Sequence, residues 1–120
     1  EFNLSVPDAE LAIEVLDCIE IVGIFLDNAV EALSKEKDKS IILEMFVMEQ
    51  KIEIRVKNVS PYYENDEIAK FFQYNYSTKG KNRGIGLAKI KDLQKKYKFD
   101  ILVEMQEIHN KNWISFSVIK

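Results

Sequence analysis

The run Ser77-Thr78-Lys79-Gly80-Lys81-Asn82-Arg83-Gly84-Ile85-Gly86-Leu87 gathers three of the chain's four glycines into seven residues. Lys79, Lys81 and Arg83 add three positive charges there, in a chain whose net charge is -3. The pattern that follows predicts a helix from about residue 84 to 97, with Ile85, Ala88, Ile90 and Leu93 on its apolar side. Backbone N–H groups at a helix N-terminus attract anions, and glycine lets phosphate oxygens come close. A phosphate-binding loop is one reading; a flexible surface turn is the other. Two familiar phosphate motifs do not fit. No Gly-Lys-Ser/Thr ends the run, as a P-loop requires. The third small residue of a dinucleotide fingerprint would fall on Lys89, and the segment before the run is not strand-like.

Upstream, an apolar series of Cys18, Ile21, Val22, Phe25, Leu26, Ala29, Val30 and Leu33 predicts a first long helix. Asp17 and Glu20 have the spacing of a capping box at its start, and the charged run 35–39 ends it. Asp27 and Asn28 interrupt the apolar stretch. Either they form a polar pair on the helix surface, or Asn28 supplies a neutral oxygen to Mg²⁺, an ion that keeps waters and bridges to phosphates.

The rest of the chain reads as strands. Residues 2–6 alternate and stop at Pro7; residues 40–48 and 51–58 form a hairpin across Glu49 and Gln50. A short acidic helix runs to about residue 72, and strands at 99–107 and 112–119 close the chain. The order β-α-β-β-α-loop-α-β-β predicts an α+β fold, a two-layer sandwich with about three helices on one face of a mostly antiparallel sheet. With 120 residues the chain fits one domain, residues 1–120. Nothing in its charge favours nucleic acid or an anionic membrane. One cysteine excludes an internal disulfide framework and suits a reducing compartment. No apolar run approaches the ~20 residues of a membrane span and no signal peptide opens the chain, so a soluble piece is expected.

Asp-Asn-Ala on a first helix, then a hairpin, then Ser-Thr-Lys-Gly-x-x-Arg-Gly-Ile-Gly-Leu leading into a later helix, resembles the GHKL (Bergerat) ATP-binding fold. That group includes histidine kinases, DNA gyrase, a heat-shock chaperone and a mismatch-repair protein. The resemblance covers nearly the whole chain. It implies that Asn28 coordinates Mg²⁺ on the triphosphate, with Ala32 one turn beyond it on the nucleotide side. It implies further that Asn58 stands at the adenine-binding position and that Phe72 is the conserved aromatic. Ser77, Thr78, Lys79, Gly80, Arg83, Gly84, Ile85, Gly86 and Leu87 then belong to the ATP lid and its glycine box, with residues 74–84 as the mobile part.

The departures narrow the function. Hydrolysing members carry a glutamate one turn before the asparagine, to activate water; here the residue is Ile24. A kinase domain whose nucleophile comes from elsewhere needs no such base. The resemblance thus implies a sensor histidine kinase that binds ATP and Mg²⁺ and passes the γ-phosphate to a histidine on its own dimerisation domain. Its further partner is a response regulator. No residue of this chain is assigned as catalytic. The parent is expected to be a membrane-anchored homodimer with this domain in the cytoplasm, and the fragment a monomer unable to autophosphorylate. Asn58, Glu31-Ala32 and the Ser-Thr-Lys-Gly segment resemble the peptide-pheromone quorum-sensing branch, of the accessory-gene-regulator and competence types.

Asn58, Ser60 and Tyr62 replace the Asp, Gly and Gly of the first glycine box. That leaves open a degenerate domain acting only as an interaction module, which failure to bind nucleotide would select. A partner-switch serine kinase is the third reading; it would phosphorylate a separate protein. His109, the one histidine, falls in a turn and reads as a solvated residue, and Cys18 reads as a small buried hydrophobe.

Overall fold

The computed structural model describes residues 12–71 and 83–120. The strand expected at residues 2–6 lies outside them. The described chain runs α1 (Val15–Ala32), a 3₁₀ turn (Leu33–Lys35), β1 (Ile41–Met48), β2 (Lys51–Val59), α2 (Asn65–Lys70), α3 (Arg83–Tyr97), β3 (Asp100–Ile108) and β4 (Lys111–Ile119). The four strands form one antiparallel sheet in the order β1-β2-β4-β3. The α+β architecture expected from the sequence is therefore present.

Strand alternation sorts the side chains into two faces. Ile52, Ile54 and Val56 of β2 and Ile114, Phe116 and Val118 of β4 are buried together with Cys18, Ile21, Val22, Phe25 and Ala29 of α1 and Leu87, Ile90 and Leu93 of α3. The helices thus cover one face of the sheet. The other face carries charge: Lys57 pairs with Glu44 at 3.4 Å, and Arg55 lies between Glu44 and Glu53 and donates to the Ser117 hydroxyl. Such partly exposed pairs contribute about 0–1 kcal/mol each, so the apolar layer between helices and sheet holds the fold.

Two hairpins close as the sequence predicts. His109 and Asn110 both have positive φ, 51° and 63°, the backbone of a tight type I′ turn. His109 is an exposed turn residue, as its place in the sequence implies.

Three expectations need correction. Asp17 does not cap α1. Glu14 occupies the N-cap without a side-chain cap bond, and its carbonyl accepts from the Cys18 N–H as the first bond of the helix. Asp17 lies in the first turn and is engaged by α3. On α3 the buried residues among the described side chains, which begin at residue 86, are Leu87, Ile90 and Leu93, and Ala88 is half-buried; Ile85 lies outside them. Finally, α2, expected to run to about residue 72, ends at Lys70, and Phe71 lies beyond it and packs with Tyr63 and Phe116. The end of α1 agrees with its charged run: the Lys39 ammonium donates to the carbonyls of Leu33 and Ser34, a cationic cap on the last turn.

Candidate nucleotide site

Helices α1 and α3 run antiparallel, and their contacts can be followed residue by residue. At one end, Asp17 Oδ2 accepts hydrogen bonds from the Tyr97 hydroxyl and, at 3.0 Å, from the Lys96 ammonium. In the middle, Lys89 pairs with Glu20 at 2.5 Å. At the other end, a Cβ placed on Gly86 would lie 3.4 Å from Ile24 Cγ2. Helix positions four apart share a face, so Asn28 and then Ala32 continue the row that Ile24 begins. Along α3 the same direction leads from Gly86 to Arg83, its first residue. Asn28 and Ala32 therefore lie on the side of α1 toward the N-terminus of α3. Both are half-buried, while Asp27 is exposed. Of the polar pair in α1, Asn28 is thus the one turned away from bulk solvent.

Gly84 and Gly86 lie in the first turns of α3, in regular helix. Leu87 is 6% exposed and belongs to the core, so its side chain fastens α3 to the sheet. Arg83, Gly84 and Ile85 are placed by their backbone only. Phe72, Ser77, Thr78, Lys79 and Gly80 lie outside the described residues. The N-terminus of α3 carries the positive end of the helix dipole, a field that favours anions.

Asn58 is the other polar residue that the sequence assigned to the site. It is 2% exposed, on the helix-facing side of the sheet, opposite Ile41 and Ile114. Its Nδ2 donates to the Val59 carbonyl at 2.9 Å. That bond uses one of the two amide hydrogens, and Oδ1 is the acceptor the side chain can present to a ligand. Beyond it, the Ser60 N–H donates to the Asn112 carbonyl and the Ser60 hydroxyl to the Pro61 carbonyl, while Tyr62 is exposed. The segment that replaces the first glycine box is tied to β4 and to itself.

The residues missed in the sequence are those of the α1–α3 contact. The hydroxyl of Tyr97 and then the ammonium of Lys96 hold the Asp17 carboxyl below its ordinary range, and Asp17 raises Lys96 in return. The hydrogen bond to Glu20 likewise raises Lys89. The sequence gives no signal for these pairs, since Asp17 and Tyr97 are separated by 80 residues. Cys18 is buried, with burial and then the neighbouring Asp17 charge pushing its thiol up to about 11. Its expected role as a buried apolar residue holds.

Residues 13–118 match the family described as the GHKL domain. The chain belongs to the GHKL domain family. Among the GHKL relatives it resembles are the sensor protein CitS of Bacillus subtilis, 33% identical over 90 residues, and the sensor histidine kinase DcuS of Escherichia coli, 30% identical over 102 residues. These alignments take in 75% and 85% of this chain but only 17% and 19% of the relatives, so the GHKL chain spans about a fifth of their length. Among solved structures, the catalytic domain of the histidine kinase ThkA matches with a TM-score of 0.60 and 19% identity, over 89% of this chain and 69% of that one. That likeness shows the shared fold. Among the described residues no helix is long and apolar enough to cross a membrane.

Proposed function

We propose that this GHKL domain binds MgATP and presents the γ-phosphate to a histidine on another domain, as the catalytic part of a two-component sensor histidine kinase. The observation that carries the reading is the antiparallel contact of Ile24 with Gly86, which aligns Asn28 with the N-terminus of α3. A metal-chelated triphosphate needs an oxygen ligand for the metal and a cluster of N–H donors for phosphate, and this pairing offers both. The residues fit magnesium in that sense: Asn28 offers one amide oxygen, and phosphate and water would fill the remaining positions. Among the described residues no three His, Cys, Asp or Glu side chains gather into a metal site of their own.

Asn58 fits the base. Its free acceptor matches the exocyclic amino group of adenine, whereas guanine would place a carbonyl oxygen against it. Ile24 fits a transferase better than a hydrolase, since an apolar side chain against α3 cannot activate water. The domain's own part is to position the phosphates and stabilise their charge; the nucleophile is supplied from outside. Ser77, Thr78, Lys79, Gly80 and Arg83 complete the phosphate site in this reading, with Phe72 beside it.

The names of the relatives support a parent that is a sensor kinase, with its own histidine-bearing dimerisation domain and a response regulator as partners. In this reading residues 1–120 are one cytoplasmic domain of a membrane-anchored homodimer. The quorum-sensing assignment rests on Asn58, Glu31-Ala32 and the Ser-Thr-Lys-Gly segment; phosphorylation of the full-length kinase in response to a secreted peptide tests it.

Calorimetric titration with ATP, with and without Mg²⁺, and with GTP tests the central proposal. Saturable binding that prefers ATP and strengthens with Mg²⁺ is expected. The second reading, an interaction module, is favoured by the closed hydrogen bonding of Ser60 and the exposed Tyr62 where glycines are usual. Absence of binding at millimolar nucleotide would select it.

A further inference from the structure

The end of α3 farthest from the proposed phosphate site is held by an unusual concentration of polar contacts. The Tyr97 hydroxyl donates to Asp17 and accepts from the Glu14 N–H at 3.3 Å, so it bridges the first turn of α1 and its N-cap. Lys96 reaches the same Asp17 oxygen. The Lys120 ammonium donates to the Tyr97 carbonyl. Between this cluster and Gly86 the helices touch through Glu20 and Lys89, and Leu87, Ile90 and Leu93 are buried in one core with Ile21, Val22 and Phe25. Apolar packing holds the helices together without direction, whereas a hydroxyl bonded to two partners depends steeply on distance and angle and so defines the axial position sharply.

We propose that Tyr97 is a positioning residue for the phosphate end of the site. Its hydroxyl fixes the register of α3 along α1, and thereby sets how far the N-terminus of α3 stands from Asn28. The inference rests on the MgATP reading above. The lever is a rigid one: α3 has 15 residues, and its first residue and Tyr97 stand roughly 21 Å apart at the ordinary rise. A small shift at the clasp is delivered undiminished to the phosphate end. The metal needs Asn28 and the phosphates at fixed mutual distance, so the Mg²⁺-dependent part of binding is the sensitive part.

Tyr97→Phe removes the hydroxyl and keeps the ring, over which Lys96 and Lys120 lie at 5.1 and 5.9 Å. The readout is the ratio of ATP affinity with Mg²⁺ to that in chelator, measured by calorimetry on the full chain beside a thermal melt. The ratio is expected to fall about threefold to tenfold, in the range reported for remote positions that bias a site. Met45→Ala, a change on the edge strand β1 where that side chain packs against the core, should lower the melting temperature and leave the ratio alone. Asp17→Ala, which removes the acceptor of the Tyr97 hydroxyl and leaves its bond to the Glu14 N–H, should give a loss up to that of Tyr97→Phe, and the double variant little beyond Tyr97→Phe alone, because the two changes share the hydroxyl–carboxylate contact. An unchanged ratio in Tyr97→Phe and Asp17→Ala, whatever happens to the melting temperature, overturns the proposal and leaves Tyr97 a structural residue. If the parent chain itself binds no ATP, or binds it without any Mg²⁺ effect, the MgATP reading falls and this inference falls with it.

Discussion

Gly86→Ala separates what glycine does for the fold from what it does for a ligand. Gly86 sits inside α3, so its backbone requires nothing that alanine cannot adopt. The new Cβ would meet Ile24 Cγ2 at 3.4 Å, ordinary contact with the end of a side chain. Replacing glycine by alanine in a helix contributes about 1 kcal/mol. A methyl half-buried against Ile24 adds a few tenths of the ~0.8 kcal/mol of full burial. The sum is a gain of about 1 kcal/mol, or roughly 4 °C in Tm for a domain of this size. Gly86→Val would push two further carbons into the same contact and should cost about 1–3 kcal/mol as overpacking. Thermal melts followed by circular dichroism measure both. If glycine is present to let phosphate approach, Gly86→Ala should weaken MgATP binding while it raises Tm. A fall of several degrees in Gly86→Ala would refute the reasoning, because it would mean that α1 and α3 cannot accommodate even one methyl group.

The other predictions address single residues. Asn28→Ala should leave Tm within a few degrees, since alanine is the better helix former, and should abolish the Mg²⁺ enhancement of ATP binding, a loss of at least about tenfold; undiminished enhancement would show that the metal is held elsewhere. Asp17 has a folded-state pKa below its ordinary value, because it accepts from Tyr97 and Lys96. Its contribution is thus complete above the unfolded value of about 3.9 and is lost as pH falls through the lowered one. The parent's melting temperature should therefore drop more steeply below about pH 4 than that of Asp17→Asn; parallel curves would contradict this. Cys18, pushed up to about 11 and buried, should resist a thiol reagent at pH 8 until the chain unfolds; prompt labelling of the native protein would contradict its burial.

Both hairpins, both long helices and the order of the described elements could be read from period and turn residues, because those signals are local. The start of α1 was misplaced for an instructive reason. Asp17 and Glu20 have the spacing of a local cap, but each is engaged by α3 instead, by Tyr97 and Lys96 in one case and Lys89 in the other. Choosing Ala88 over Leu87 for the buried face of α3 has a similar origin: Leu87 follows the glycine box, and its burial is decided by the sheet below. For the site, Asn28 stands out in the sequence as a polar residue interrupting an apolar run, while Asn58 is assigned through the family resemblance alone. The sequence could not show that Asn58 donates to the Val59 carbonyl, or that Ile24 meets Gly86. Those facts depend on rotamers and on contacts between distant parts of the chain.

The account's central claim is that Asn28 and the start of α3 form one phosphate site, with Asn58 at the base. Amide chemical-shift mapping by NMR, with MgATP added to the full chain, tests it most directly. The expected result is a joint, saturable shift of Asn28, Ala32, Gly84, Gly86 and Asn58, with the β3–β4 turn at His109 and Asn110 unmoved. Shifts that leave α1 and the first turn of α3 untouched, or that centre on that turn, would contradict the claim.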